Sequence, residues 1–143
     1  MDTKKAYFYL NIYRKFVNAY NNFIVVEFSD YVLSPNEIVV LSSLSETSKA
    51  SEIAKQADVS KALVSRSVSL LKSKKLVNID YDLSDKREQI ITLTAEGQEL
   101  AKRIELAKEK FVDIAFKDFS KDELDVLKAL LVLIGKNLNI LED

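Results

Sequence analysis

Glycine and proline, the residues that most often interrupt regular structure, are scarce in this chain: its 143 residues include two glycines and one proline. Few positions are therefore marked for turns, and long helices are favoured. Apolar residues make up 48% of the sequence and charged residues 30%, which is typical of a globular protein and not of a disordered one. A chain of this length has room for one core, so we expect a single domain over residues 1–143.

The absence of cysteine and histidine limits the chemistry open to the chain. Disulfides, thiolate nucleophiles, Cys/His zinc sites and histidine general bases are excluded. The sequence contains neither a glycine-rich phosphate loop nor a nucleophile–base pair, so we expect no enzyme activity, no cofactor and no metal site. It also lacks a signal-peptide apolar segment and any window of the roughly 20 apolar residues that a transmembrane helix needs. We therefore expect a cytoplasmic protein with no membrane partner.

The first two helices are predicted from periodicity and from a capping signal. Apolar residues recur with a period near 3.6 over residues 4–28, which predicts a long first helix. Ser34 precedes Pro35, and Glu37 follows three residues after Ser34. This is the pattern of a capping box with proline at the first helical position, and it predicts the start of a short second helix.

A third and a fourth helix are predicted over residues 51–57 and 61–74. Between them, Asp58 tolerates a left-handed turn conformation, and Ser60 is a suitable N-cap for the fourth helix. Leucine and valine form the apolar face of the fourth helix. Another face carries small, hydroxylated and basic side chains, namely Lys61, Ser65, Ser69 and Lys72, with Arg66 beside them.

The period changes from helical to alternating in the segment that follows. Alternation over residues 77–81 and 90–93 predicts two short strands, and the charged residues between them form the tip of a β-hairpin. Thr94 is a suitable cap for a long helix from residue 95. A second capping box at Ser120 predicts a last helix that extends to Leu141.

Positive charge is concentrated in the middle of the chain. The net charge is −1, but residues 49–87 contain nine basic and five acidic side chains. Such a distribution favours a local patch for a polyanion, and an ordinary fluctuation in charge is the alternative interpretation.

The order of these elements predicts a mainly α fold with a small β-hairpin. Residues 33–94 form a winged helix-turn-helix lobe in this prediction, and residues 4–28 and 95–141 form long dimerisation helices. The terminal helices have more apolar surface than one core contact requires, which indicates a homodimer. The fourth helix is then free to lie in the major groove of duplex DNA.

Seven short segments, which lie mostly between residues 33 and 97, carry a family resemblance. They are Leu33-Ser34-Pro35, Ser51-Glu52-Ile53-Ala54, Val59-Ser60, Val64-Ser65-Arg66, Leu76-Val77, Asp85-Lys86-Arg87 and Leu93-Thr94-Ala95-Glu96-Gly97. With these segments in this order, the chain resembles the multiple-antibiotic-resistance-regulator (MarR) family of transcription factors. The resemblance implies a homodimeric DNA-binding regulator, expected to be a repressor, which binds a pseudo-palindromic operator and is released by a small molecule.

The resemblance also implies that helix 61–74 enters the major groove and that wing 83–88 reaches the minor groove. The expected DNA-contacting residues are Ser60, Lys61, Ala62, Ser65, Arg66, Lys72, Asp85, Lys86 and Arg87. Serine and arginine hydrogen-bond phosphates or base edges, and arginine is favoured in a narrow minor groove. The alternatives are a solvated face for Lys61, Lys72 and Lys74, an ion pair for Arg66, and a routine charged turn for the wing tip.

Two positions depart from the family pattern. Lys75 stands where the family usually has glycine, so the helix is expected to end in a different cap or to continue. Ser84 stands where the family often has another arginine, which leaves Lys86 and Arg87 to supply the positive charge of the wing.

Family members often bind a small aromatic or anionic effector, and an aromatic stripe provides candidate contacts for one. These residues are Tyr13, Phe16, Tyr20, Phe28 and Tyr31. The same helical spacing is also that of core residues. For the whole chain, the alternative is a winged-helix module for protein interaction without DNA binding, which the pI of 5.6 and the apolar terminal helices favour.

Overall fold

The computed structural model describes residues 2–44 and 47–141, with Thr47 described by its backbone alone. The helices and strands of this part of the chain are α1 (Thr3–Glu27), α2 (Pro35–Ser42), β1 (Thr47–Lys49), α3 (Ala50–Ala57), α4 (Lys61–Ser73), β2 (Val77–Tyr81), β3 (Gln89–Leu93), α5 (Ala95–Ala115) and α6 (Lys121–Asn137). The chain divides into two compact units, Met1–Phe111 and Val112–Asp143. The element order confirms the predicted fold class, mainly α with a small sheet in a winged helix-turn-helix arrangement.

The core of the first unit lies under the helix-turn-helix and its wing. Ile53, Leu71 and Ile91 of three different elements are fully buried there. The carboxyl end of α1 contributes Ile24, and α5 contributes Ile104. Burial of such side chains stabilises the fold by about 1.5–3 kcal/mol each relative to exposure.

Local signals begin and end the short helices as predicted. The Ser34 hydroxyl accepts from the Glu37 amide, and the Glu37 carboxylate accepts from the Ser34 amide. Asp58 has φ 53° after α3, and the Ser60 hydroxyl accepts from the Leu63 amide at 3.1 Å. The turn between α3 and α4 is therefore short and held at both ends.

The sheet has three strands, so the prediction of a two-stranded hairpin was incomplete. Its strand order is β1-β3-β2, and both pairings are antiparallel. In β1, Ser48 pairs with Ile91. A three-residue polar strand has no alternation of apolar residues, and its pairing depends on a partner more than 40 residues away.

Helix α4 ends in a left-handed residue even though that residue is not glycine. Lys75 has φ 62°, its amide donates to the Lys72 carbonyl, and the Leu76 amide donates to the Leu71 carbonyl. These are the two hydrogen bonds of a Schellman motif. The expectation of a different cap or a longer helix was therefore wrong, because a lysine here forms the left-handed cap that glycine usually forms.

Gly97 allows α5 to start against the backbone that follows α4. A Cβ at this glycine would lie 2.0 Å from the Leu76 carbonyl oxygen. The Thr94 hydroxyl accepts from the Gly97 amide at 3.0 Å and donates to the Lys75 carbonyl at 2.8 Å. The predicted cap at Thr94 is confirmed, and it ties α5 to the end of α4.

The second unit contains α6, which starts as predicted and ends earlier. The Ser120 hydroxyl accepts from the Glu123 amide, and the Glu123 carboxylate accepts from the Ser120 amide. The helix ends at Asn137 and does not reach Leu141, because Asn139 takes a left-handed conformation with φ 54°. Segment 95–141 contains two helices as predicted, α5 and α6, with residues 116–120 between them.

Candidate nucleic-acid interface

A cleft between α4 and the wing brings together residues that the sequence singled out. Its lining includes Lys61 and Ser65 of α4 and Lys86 and Arg87 of the wing. The other lining residues are Ala50, Tyr81, Glu88 and Gln89. Cationic side chains therefore stand on both sides of the cleft, as a polyanion requires.

The exposed face of α4 extends beyond this cleft. Ala62 and Arg66 are exposed in the first half of the helix, and Lys72 is exposed in its last turn. Lys72 lies 11 residues after Lys61, which is about 16 Å along the helix axis. The Ser60 hydroxyl is engaged in the helix cap, so this residue positions α4 through its side chain.

Hydrogen bonds within the wing loop shape its tip. One oxygen of Asp82 accepts from the Ser84 amide at 2.8 Å, the Ser84 hydroxyl at 2.6 Å and the Asp85 amide at 3.3 Å. The Asp85 carboxylate then accepts from the Arg87 amide at 3.0 Å. Asp85 and Ser84 therefore fold the loop, and the exposed side chains of Lys86 and Arg87 carry its positive charge.

Two ion pairs connect the wing with the helix-turn-helix. The Lys49 ammonium lies 2.9 Å from the second oxygen of Asp82. The Glu88 carboxylate accepts from the Ser51 amide at 2.9 Å and lies 3.5 Å from the Lys61 ammonium. These contacts fix the wing relative to α3 and α4.

Neighbouring groups keep both of these wing carboxylates ionised. The Ser84 hydroxyl and then Lys49 hold the pKa of Asp82 well below its ordinary value. The Ser51 amide holds the pKa of Glu88 below its ordinary value, and the Ser51 hydroxyl and Lys61 add to this effect. The pKa of Lys49 is in turn raised by its hydrogen bond to Asp82.

Sequence reasoning missed Lys49, Ser51, Asp82 and Glu88 as parts of this site. Lys49 and Asp82 belong to a contact that exists because β1 joins the sheet, and that strand was not predicted. Glu88 offered one signal, a carboxylate directly after the cationic wing tip. A carboxylate beside an expected DNA contact repels phosphate, so a structural role for it is to be expected. The sequence alone does not identify the group with which it pairs.

Lys74 forms an internal ion pair and is not part of a solvated helix face. Its ammonium donates to the Glu37 carboxylate and to the Val32 carbonyl, the latter at 3.0 Å. Burial raises the pKa of Glu37, but the hydrogen bond from Lys74, joined by those from Ser34, outweighs burial and leaves the pKa below its ordinary value. The contact ties the end of α4 to the start of α2.

The five aromatic residues proposed for an effector lie in different environments. Phe28 is 1% exposed and belongs to the core, and the Arg103 guanidinium lies 5.3 Å from its ring centre and 5.7 Å from that of Tyr31. Phe16 and Tyr20 each make an edge contact with Phe111. Tyr13 is exposed.

A cleft of about 210 Å³ lies beside this aromatic group, within the first unit. Its lining residues are Glu27, Phe28, Arg103, Leu106, Ala107 and Lys110. Of the five aromatic residues, Phe28 is the one that lines it, so the structure does not bring the other four into this cleft.

Residues 2–44 and 47–141 contain neither a metal-binding cluster nor a membrane-spanning helix. Acidic side chains there form no group of three or more arranged to hold a metal ion. No helix in this part of the chain combines the length and the apolar character needed to cross a membrane.

No protein-family model and no curated protein sequence matches the chain, whereas solved structures do. A MarR protein from Peptoclostridium difficile is 21% identical with a TM-score of 0.84, over 90% of this chain and 86% of that one. A MarR transcriptional regulator from Methanosarcina mazei is 16% identical with a TM-score of 0.81, over 94% and 99%. BpsR of Bordetella bronchiseptica, whose DNA binding is regulated by 6-hydroxynicotinic acid, is 21% identical with a TM-score of 0.73, over 87% and 91%. The chain therefore has the winged-helix fold of the MarR transcriptional regulators.

Proposed function

We propose that the chain is a member of the MarR family and acts by binding duplex DNA as a transcriptional regulator. The observation that carries this proposal is the cleft in which Lys61 and Ser65 of α4 face Lys86 and Arg87 of the wing. In this proposal α4 lies in a major groove, which is wide enough to accept a helix. The wing places Arg87 at the adjacent minor groove, where the negative potential is enhanced.

Each side of the cleft contributes a different kind of contact. Arg66 is exposed beside Ser65 and reaches base edges or phosphates from α4. Lys86 and Arg87 neutralise phosphates or enter the minor groove from the wing, while Asp85 is engaged with the Arg87 amide. Ser60, Lys61, Ala62 and Lys72 complete the proposed DNA-facing surface of α4.

We infer that the protein works as a homodimer of single-domain chains. In the first unit, Tyr7, Leu10 and Tyr13 of α1 are 67%, 74% and 70% exposed. In the second unit, Leu130 and Leu131 of α6 are 53% and 56% exposed. Exposed apolar faces of this extent on two helices are typical of an oligomer interface, and a twofold dimer would present two copies of α4 to half-sites about 34 Å apart on a pseudo-palindrome.

A small aromatic acid is the effector class that fits the cleft at Phe28. Arg103 and Lys110 supply positive charge, and Leu106 supplies an apolar wall. The volume of about 210 Å³ is below the ~300–1,000 Å³ of sites for drug-sized ligands, which favours a molecule with a single ring. The reported control of BpsR by 6-hydroxynicotinic acid supports this class. Binding there would release the protein from its operator, so we propose a cytoplasmic repressor.

Mobility-shift titrations over a range of salt concentrations test DNA binding directly. We expect salt-sensitive binding to genomic fragments and a loss of about 10-fold or more in affinity for Arg66→Ala and for Arg87→Ala. Lys117→Ala is the matched control, since it removes one exposed cation from the second unit.

Equal affinity of both arginine variants and the wild type would contradict the docking geometry. No binding at low salt, together with a stable complex with another protein, would identify the alternative function, a winged-helix module for protein interaction.

A further inference from the structure

Helix α3 begins at a residue that lacks a side-chain acceptor for its first amides. Lys49 is its N-cap, and a lysine ammonium can only donate. Glu52 accepts from the Lys49 amide at 3.0 Å, but the Ser51 amide in the first turn needs another acceptor. The wing supplies it, because the Glu88 carboxylate accepts from the Ser51 amide at 2.9 Å. Glu88 therefore caps α3 from a distance of 37 residues along the chain.

The backbone of Glu88 also closes the wing loop. Its amide donates to the Asp85 carbonyl at 2.9 Å, and its carbonyl accepts from the Asp82 amide at 3.0 Å. The residue thus holds the base of the wing with its main chain and the start of α3 with its side chain. Movement of the wing away from the helix-turn-helix would break the cap of α3.

The same carboxylate forms an ion pair with Lys61, the first residue of α4. The side chain of Glu88 is 14% exposed, that of Lys61 is 68% exposed, and the two charges are 3.5 Å apart. Both residues line the cleft proposed to receive DNA. A fixed negative charge at this place opposes an approaching phosphate, and it competes with that phosphate for Lys61.

We propose that Glu88 is a positioning residue that locks the wing onto α3 and holds Lys61 in an ion pair, and that it thereby weakens binding to DNA of arbitrary sequence. This inference rests on the proposed function. Affinity for arbitrary DNA comes almost entirely from cation–phosphate contacts. A lysine that is already paired in the free protein gains less free energy from a phosphate contact than an unpaired lysine does. Glu88 therefore reduces the affinity for DNA of arbitrary sequence. At the same time it keeps α4 and the wing in a fixed position relative to each other.

Three variants separate the charge of Glu88 from its role as an acceptor. Glu88→Gln keeps a carbonyl oxygen for the Ser51 amide and removes the charge. Glu88→Ala removes both. Glu99→Gln, an exposed position on α5, is the control for the loss of one negative charge elsewhere.

Affinity for a random-sequence duplex is measured for each variant as a function of salt concentration. We expect Glu88→Gln to bind about 3–10-fold more tightly at low salt, and its slope of log K against log salt to steepen by about 0.9, the value for one additional phosphate contact. Glu99→Gln keeps the wild-type slope. A slope and affinity of Glu88→Gln equal to those of Glu99→Gln would overturn the ion-pair effect while leaving DNA binding intact. A wild-type protein that binds no DNA would instead overturn the proposed function.

Amide hydrogen exchange measures how firmly Glu88 holds the wing on α3, and this measurement needs no DNA. We expect the amides of residues 50–52 and 82–88 to exchange faster in Glu88→Ala, and to keep most of their protection in Glu88→Gln. Wild-type protection in Glu88→Ala would overturn the positioning role.

Discussion

The helix-turn-helix lobe and the amino-terminal half of α1 belong to the same compact unit but differ in how their apolar residues are used. In the lobe, Ile53 and Leu71 are fully buried. In the first half of α1, Tyr7 and Leu10 are mostly exposed. The lobe therefore buries its apolar residues in a core that it shares with the end of α1 and with α5, whereas the start of α1 carries exposed apolar surface.

Polar groups in the lobe are also held by specific contacts. The lobe buries Glu37 with Lys74 beside it and holds its helix ends with side-chain caps. In the part of the chain that the structure describes, no buried side-chain nitrogen or oxygen lacks a hydrogen-bond partner. Because these contacts depend on particular side chains, single substitutions in the lobe should lower the free energy of unfolding. Substitutions on the exposed helix faces should instead change the association of two chains.

The largest effect is expected at Gly97. Gly97→Ala would place a Cβ 2.0 Å from the Leu76 carbonyl oxygen, a backbone atom that also accepts from the Thr94 amide, so relief of the clash must displace backbone. We expect the free energy of unfolding to fall by about 3 kcal/mol or more, measured by urea denaturation. Gly135→Ala is the control. Its Cβ would meet the Leu141 side chain, which can change rotamer, so a loss below about 1 kcal/mol is expected. Equal losses at both glycines would contradict the close approach of α5.

A similar but smaller loss is expected when Glu37 loses its cation. Lys74→Met leaves a buried carboxylate without its ion-pair partner, and we expect a loss of about 3 kcal/mol at neutral pH, the low end of the range because Lys74 is partly exposed. Lys102→Met, which removes an exposed cation from α5, should change stability by less than about 0.5 kcal/mol.

The pH dependence of that loss provides an independent check. The folded-state pKa of Glu37 is lowered, so its contribution is present above the ordinary value of 4.5 and is lost as pH falls through the folded pKa. In Lys74→Met the Glu37 carboxyl is still buried but has lost its cation, so its folded-state pKa should be raised. The variant is therefore less stable than the wild type at neutral pH. The difference disappears once Glu37 is protonated in both the folded and the unfolded state. The stability curves of wild type and variant should therefore converge as pH falls below the ordinary value of 4.5 and through the folded pKa of the wild type. A constant difference across the titration would exclude Glu37 as the cause.

The exposed face of α1 should affect association more than folding. Leu10→Lys places a charge where we propose that a second copy packs, and we expect the dimer dissociation constant to rise by about 30-fold or more, which corresponds to ~2 kcal/mol. Leu83→Lys is the control, because Leu83 is fully exposed on the wing and outside the proposed interface. Sedimentation that shows a monomeric wild type, or no change in Leu10→Lys, would contradict this assignment.

The smallest effect is expected at Lys75, and it is a gain. This residue is held at φ 62°, where glycine has no steric penalty. Lys75→Gly should therefore raise the free energy of unfolding by about 1 kcal/mol. Lys75→Ala loses the same side chain but keeps the Cβ, so it should not stabilise. A gain in the alanine variant alone would refute the conformational explanation.

Much of the candidate site could be predicted because its residues form continuous local motifs. Lys61, Ser65 and Arg66 share one helix, and Lys86 and Arg87 share one loop, so periodicity and a hairpin signal were sufficient to group them. The sequence did not reveal what holds the two groups at a common cleft. Glu88 and Lys49 perform that role, and neither lies in a motif with its partner.

The sequence by itself determined where most helices begin, because the capping contacts of Ser34, Ser60 and Ser120 reach three residues along the chain. The tertiary structure decided which side chains pair across the fold. Glu37 with Lys74 and Ser51 with Glu88 are each 37 residues apart. Whether such residues meet depends on how the helices pack and which strands join the sheet, and local periodicity carries no information about that packing.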